Sequence, residues 1–154
     1  MEVIKKILAV AMVCTLSLHA AALSHNEHPL FPEQLPGDIQ LLIKENFSNL
    51  SIARATFASG NYYEIVLSDH SILEFDTEGN WTKIECQGTE IPNPILPAAV
   101  VQFVKENHPG KFITRIEKER SEYEVKLSDH TELTFDSNCQ LLVTDFDCPD
   151  IISQ

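Results

Sequence analysis

Glycine is scarce in this chain, with five residues in 154. Phosphate-cradling loops, dinucleotide-binding turns and strained nucleophile elbows need glycines where the backbone must approach a ligand or adopt left-handed angles. None of those patterns occurs; there is no Gly-x-Ser-x-Gly and no His-Glu-x-x-His. Basic residues are scarce as well, 11 Lys and Arg against 23 Asp and Glu, for a formal charge of −12. An acidic chain is repelled by phosphate backbones and by anionic membranes, so nucleic acid is not an expected partner. Beyond the first residues there is no apolar run near the roughly 18 residues that span a bilayer, so no membrane insertion of the mature chain is expected. No cofactor-binding signature is present either.

What is there begins with an export signal. Lys5 and Lys6 precede an apolar stretch from Ile7 to Leu18, and His19-Ala20-Ala21-Ala22 supplies small residues of the A-x-A kind. Residues 1–22 therefore read as a bacterial signal peptide cleaved after Ala22, with the periplasm or cell exterior as destination. Cys14 invites a lipoprotein reading, but Val13 stands where lipidation signals carry a small residue. Without residues 1–22 the chain keeps 9 basic and 22 acidic residues, a formal charge of −13. That charge suits solubility first and a basic protein partner second.

The strongest signal is internal self-similarity. Tyr63-Glu64-Ile65-Val66-Leu67-Ser68-Asp69-His70 returns sixty residues later as Tyr123-Glu124-Val125-Lys126-Leu127-Ser128-Asp129-His130. Leu73, Phe75 and Asp76 return as Leu133, Phe135 and Asp136. Upstream the offset is sixty-one: Leu35-Pro36 answers Leu96-Pro97, and Ile43-Lys44-Glu45-Asn46 answers Val104-Lys105-Glu106-Asn107. One extra residue near Ser59-Gly60-Asn61 accounts for the change. The organisation expected is an N-terminal tail at 23–34, a first copy at 35–90, a linker at 91–95, a second copy at 96–148 and a tail at 149–154.

Each copy opens with a helix. Pro36 and Pro97 suit a first turn, where a missing N–H costs nothing. Ile39, Leu42, Ile43 and Phe47 share a helical face, as do Val100, Phe103, Val104 and His108. His108 stands where the first copy has Phe47, which favours a half-buried helix-end residue over a metal ligand. Strands are expected at 51–57, 62–67, 71–76 and 81–86, and again at 112–117, 122–127, 131–136 and 141–146, separated by turn residues. Tyr123, Val125 and Leu127 alternate with Glu122, Glu124 and Lys126, and Tyr63, Ile65 and Leu67 repeat that inner face. The fold class is α+β: two tandem helix-plus-antiparallel-meander repeats, with the helices packed on one face of an open antiparallel sheet.

The order Leu-Pro, a helix ending in Asn-Phe or Asn-His-Pro, then Tyr-Glu-(Ile/Val)-x-Leu-x-Asp, Phe-Asp and an Ile-Pro linker resembles the PepSY-like exported proteins. That resemblance spans residues 35–146. It implies a fold similar to the β-lactamase inhibitory protein, whose exposed sheet face grips its enzyme. Two departures stand out. His70 and His130 replace the family's usual Gly after the turn Asp, which predicts a different turn type, and Cys139 replaces the glycine seen as Gly79. Similarity of fold does not by itself carry function, and no inhibitory loop transfers position by position.

No nucleophile and base stand at catalytic spacing, so an enzyme is not expected. Alternation turns Tyr62, Glu64, Val66, Ile72 and Glu74 outward in the first copy, with Glu122, Glu124, Lys126, Glu132 and Thr134 as their counterparts. A face mixing Tyr, Val and Ile with acids has the composition of a contact surface, although an open solvated face is the plain alternative. Trp81 reads equally as core or as an anchor on that face, because strand phase across Gly79 is open. Asp69-His70 and Asp129-His130 read as exposed turns before metal or acid–base pairs. Cleavage after Ala22 would leave His25 third from a free amine with His28 nearby, a square-planar arrangement of the kind Cu(II) favours, against the plainer reading of a His-bearing tail. Of the remaining cysteines, Cys139 and Cys148 would lie roughly 30 Å apart along an extended strand, too far for a disulfide, so Cys86 with Cys148 is the better pairing if any forms. The functional expectation is an exported protein-binding module acting on an unknown protein such as an envelope or secreted enzyme, with inhibition of a hydrolase or peptidase as one form. The alternative is a small-ligand or metal-binding envelope protein using His25 and His28 or the turn histidines.

Overall fold

The computed structural model describes residues 28–146. They form one open antiparallel sheet of nine strands whose spatial order follows chain order, together with two α-helices. β1 (His28–Pro29) is followed by a 3-10 turn (Pro32–Gln34), α1 (Gly37–Asn46), β2 (Ile52–Ala58), β3 (Tyr62–Leu67), β4 (Ile72–Phe75) and β5 (Trp81–Glu85). A second 3-10 turn (Asn93–Ile95), α2 (Ala98–Asn107), β6 (Ile113–Glu119), β7 (Glu122–Leu127), β8 (Thr131–Asp136) and β9 (Leu141–Phe146) complete the series. β1 and the first 3-10 turn fall within residues 23–34, which alternation and composition leave as a tail. No helix among the described residues is long and apolar enough to cross a membrane. The signal segment, His25 and Cys148 lie outside the described residues.

Both helices begin directly after a proline, Pro36 and Pro97, where the absent N–H leaves no bond unmade. Both end at an asparagine whose side chain explains its position. Asn46 Nδ2 donates to Leu42 O and Asn107 Nδ2 to Phe103 O, each at 2.9 Å, adding a side-chain donor to a carbonyl one turn back and tying the end of the helix to its own backbone. The buried helical residues are Ile39 and Ile43 in α1, and Val100 and Val104 in α2. They share one cluster with Ile65, Leu67, Leu73, Phe75 and Ile84 from β3 to β5, and with Ile113, Ile116, Val125, Leu127, Leu133 and Phe135 from β6 to β8. His108 is half-buried beside Phe103, with ring centroids 6.2 Å apart, as expected for a helix-end residue.

Where β5 meets β6, Ile84 lies opposite Ile116 and both have no exposed surface. Each half brings only about 55 to 60 residues, too few for a robust core alone. The pair therefore sits where the two halves share their apolar interior.

The turns account for the shift in sequence offset. β2 and β3 are joined by Ser59-Gly60-Asn61, since Ala58 pairs with Tyr62, whereas β6 and β7 are joined by Arg120-Ser121 alone, since Glu119 pairs with Glu122. The turns between β3 and β4 and between β7 and β8 correct one expectation. His70 and His130 have φ of 69° and 67°, the left-handed region that glycine would take, so the replacement does not change the turn. Each histidine N–H closes the turn on Leu67 O or Leu127 O at 2.9 Å, and the flanking pairing fixes the rest. Cys139 likewise keeps the left-handed angle of Gly79, with φ of 61° against 88°.

Two measurements follow. Ile84→Ala should cost about 2–5 kcal/mol in urea unfolding and lower one shared transition rather than split it; two separate transitions would show that the halves fold independently. His70→Gly and His130→Gly should each raise stability by about 0.5–1 kcal/mol, because relief of left-handed strain exceeds the added unfolded-state entropy. A loss of stability in either variant would mean that the imidazole contributes more than its strain.

Candidate functional site

The candidate site is the sheet face turned away from the core, and two features of the strands decide its chemistry. The first is alternation. Ile65, Leu67, Leu73 and Phe75 are buried, while Glu64, Val66, Ile72 and Glu74 between them are half-exposed, and Val66 and Ile72 are not among the apolar residues packed against the core. The second is a pair of bulges in each half. Between Ile52 and Arg54 the pairing with β3 skips a residue, and between Ile113 and Arg115 the pairing with β7 does the same. A bulge inserts one residue and so flips the phase of all that follows. Arg54 and Arg115 thereby join the outward face opposite Val66 and Lys126.

The register then draws continuous rows across the molecule. One runs through Arg54, Val66, Ile72, Glu85, Arg115, Lys126, Glu132 and Asp145, a single residue from each of β2 to β9. The next runs through Thr56, Glu64, Glu74, Lys83, Glu117, Glu124, Thr134 and Val143. These sixteen positions hold seven carboxylates and four cations, a net −3. Every one of the four cations meets a carboxylate. Arg54 reaches Glu64 at 2.6 Å, Lys83 reaches Glu74 at 3.4 Å and Glu85 at 3.9 Å, Lys126 reaches Glu132 at 3.3 Å, and Arg115 bonds Glu117. The Glu117 hydrogen bond also holds the Arg115 guanidinium more firmly protonated, against the opposing effect of partial burial. Solvent-exposed pairs of this kind contribute about 0–1 kcal/mol each, so they add little to stability.

Within these rows one cross-strand pair is apolar. Val66 faces Ile72, and the equivalent position in the second half is the Lys126–Glu132 ion pair. A hollow of about 160 Å³ lies around Arg115, Glu124, Lys126, Glu132, Thr134 and Asp145 on the charged half. Tyr62 and Glu122 open β3 and β7 at the end of the face, Tyr62 half-buried and Glu122 exposed. The expected set Tyr62, Glu64, Val66, Ile72, Glu74, Glu122, Glu124, Lys126 and Glu132 thus shares the outward phase. Period-two counting missed Arg54, Arg115, Glu117, Lys83, Glu85 and Asp145, because a bulge has no signature in hydrophobic alternation.

Trp81 does not belong to that face. A bulge on β5 leaves Phe75 opposite Trp81 while Leu73 stays opposite Ile84, which turns the indole to the core side. There it packs against the core and lies 6.4 Å from Tyr123. The pair lines a separate open groove of about 660 Å³ with Asp38, Leu42, Lys118 and Arg120.

The turn pairs are occupied by turn chemistry. Asp69 accepts from Ser71 N and Ser71 Oγ, both at 2.9 Å, and Asp129 accepts from Thr131 N at 3.2 Å and meets Lys111 at 3.2 Å. Burial pushes the Asp129 carboxyl up, but the bonds from Thr131 and the Lys111 charge outweigh it and hold the group below the usual carboxylate value. Asp76 is held low in the same way. Slight burial opposes the shift, while Asn80, through its side chain and N–H, and the N–H groups of Glu78 and Gly79 prevail. His28 is exposed on β1, and no three His, Cys, Asp or Glu gather into a metal-holding group among the described residues. Cys86 is buried; burial pushes its thiol up, with the Ser71 hydroxyl opposing. Its proposed partner Cys148 is outside the described residues.

A family model described as beta-lactamase-inhibitor-like, PepSY-like matches residues 61–143, from the turn before β3 into β9. The chain belongs to the PepSY-like family. Solved structures agree. A protein of Bacteroides thetaiotaomicron described as a "putative calcium-regulated periplasmic protein" is 34% identical, with a TM-score of 0.72 over 78% of this chain and 97% of its own. A "putative periplasmic protein" of Bacteroides vulgatus is 30% identical, with a TM-score of 0.76 over 79% of this chain and 98% of its own. A second protein of B. vulgatus, described as periplasmic and of unknown function, is 25% identical with a TM-score of 0.70 over 77% and 98%. No curated protein matches the chain. PepSY-like membership accords with the sheet and its order.

The two lowered carboxyls set an acid limit. A group with a folded pKa below its unfolded value stabilises fully above the unfolded value and loses that contribution as pH falls through the folded one. Urea midpoints should therefore hold between about pH 5 and 7 and fall below about pH 4. Asp76→Asn with Asp129→Asn should flatten part of that fall. An unchanged acid slope in the double variant would assign it to other carboxylates.

Proposed function

We propose that this PepSY-like protein is a non-catalytic, exported binding module that holds a protein partner on the outward face of its sheet. The chain acts in the periplasm, as its structural relatives are described to do, after removal of residues 1–22. Two copies of one helix-and-meander unit build it, and both helices lie on the same side of the sheet. Support for that arrangement comes from the single cluster that joins Ile39, Ile43, Val100 and Val104 to alternate strand residues of both halves. Covering one face in this way leaves the other for a partner.

The observation that carries the reading is the Val66–Ile72 pair. It places apolar surface among ionised neighbours whose charges are already paired, so an incoming protein can bury the aliphatic groups without stranding a charge. A net −3 across the two rows favours a partner that offers basic residues around an apolar centre. Inhibition of a hydrolase or peptidase is the specific form this takes in the reading, with Tyr62, Glu64 and Ile72 in contact. The histidine-based metal alternative gains no support from the described residues. Calcium regulation, named for the B. thetaiotaomicron protein, is not carried over to this chain.

Recovery of partners from the native envelope with the mature chain, compared with Tyr62→Ala, Glu64→Ala and Ile72→Ala combined, tests the face directly. Loss of those three contacts should weaken binding at least tenfold, about 1.4 kcal/mol or more. A partner retained equally by the triple variant would rule the face out.

A further inference from the structure

Strand β9 ends the sheet. β8 is bonded along one side, and among the described residues no strand lies along the other. It carries Leu141, Leu142 and Val143, which are 39%, 52% and 47% exposed. Natural sheets blunt such edges with charge, proline or extreme shortness, because unpaired N–H and C=O groups beside apolar side chains template further pairing. The opposite edge is blunted: β1 has two residues, and the second is Pro29. β9 has one charged residue, Asp145, and no proline.

The sequence contains its own precedent for what covers such a strand. Sixty residues earlier stands β5, whose outer side is taken by β6. There Ile84 is fully buried opposite Ile116, and Cys86 N–H donates to Thr114 O at 2.8 Å. Thr144 and Phe146 stand at those two positions in β9. By this correspondence their N–H groups point away from β8, toward the open side.

We propose that the open side of β9 receives β9 of a second copy of this chain, antiparallel, to give a two-fold symmetric dimer. Pro29 closes the other edge, so growth from head to tail is unavailable, and a second copy has its own β9 left to offer. An antiparallel strand pair about a two-fold axis is self-complementary and closed, so assembly stops at two. Centring the pair on Thr144 sets Val143 opposite Asp145 of the other copy and Leu142 opposite Phe146. The two Asp145 carboxylates then never face each other, and like charges directly opposite would be destabilising. The outward rows of both copies continue through the joint as one longer face.

The measurement is light scattering on the mature chain, residues 23–154, from roughly 1 to 500 µM, the range in which so short an interface would associate. Mass should rise toward twice the monomer value with concentration. Higher salt should favour the dimer, because two copies each of charge −13 repel. Leu142→Thr with Val143→Lys installs the residues that β5 carries at Thr82 and Lys83, and should weaken association at least tenfold while leaving the thermal midpoint near its original value. Thr144→Pro removes an outward N–H and should abolish association. A chain that stays monomeric throughout the range overturns the proposal, as when its own C-terminal segment or a different protein covers the edge. A dimer that survives both variants overturns it too, by placing the contact elsewhere.

Discussion

Ile84 and Ile116 face each other across β5 and β6 without exposed surface, and much of the molecule depends on that contact. Each half has an amphipathic helix and four long strands, with the two-residue β1 added in the first, which is too little apolar surface to hold a stable interior by itself. Joined edge to edge, the halves pool their buried residues into one cluster, and strand order follows chain order from β1 to β9. The same joint makes the outward rows continuous. Glu85 lies opposite Arg115 and Lys83 opposite Glu117, so charges of one half are read together with those of the other. The joint that pools the buried residues thus also aligns the charged rows.

The bulges are the second determinant, and they set which residues face outward. Those in β2 and β6 bring arginines onto a face that would otherwise carry mainly acids, and those in β5 and β9 turn Trp81 and Leu141 toward the core side. Equivalent bulges in both halves keep the rows in register over eight strands. The residues in those rows diverge: Val66 with Ile72 in one half becomes Lys126 with Glu132 in the other. Shared positions make the sheet, and differing positions give its two ends different surfaces.

Much of this was legible in the residues. Self-similarity located the elements, since sixty-residue matches in Tyr63 to His70 and Tyr123 to His130 coincide with β3 and β7 and the turns after them. Proline before each helix and asparagine at each end marked α1 and α2 to within a residue, because both act through local backbone bonding. Even the shift of offset at Ser59-Gly60-Asn61 matched a three-residue loop answering a two-residue one. Other features escaped. His70 and His130 looked incompatible with a left-handed turn, yet they adopt it, because strand pairing on both sides imposes an angle that the residue alone would avoid. β1 is too short to show any period.

The sequence by itself determined the apolar pattern of the long strands, where helices and turns fall, and a match of residues at an offset of about sixty. Those properties depend on side-chain type at short spacing, and local physics suffices to read them. Only the tertiary structure decided which strand lies beside which, how the bulges set the phase of Arg54, Arg115 and Trp81, and which edge was left open. Those outcomes depend on register between segments that are distant in the chain, and a register shift of one residue reverses a face while leaving hydrophobic composition unchanged. The outward surface is therefore the part its sequence states least directly.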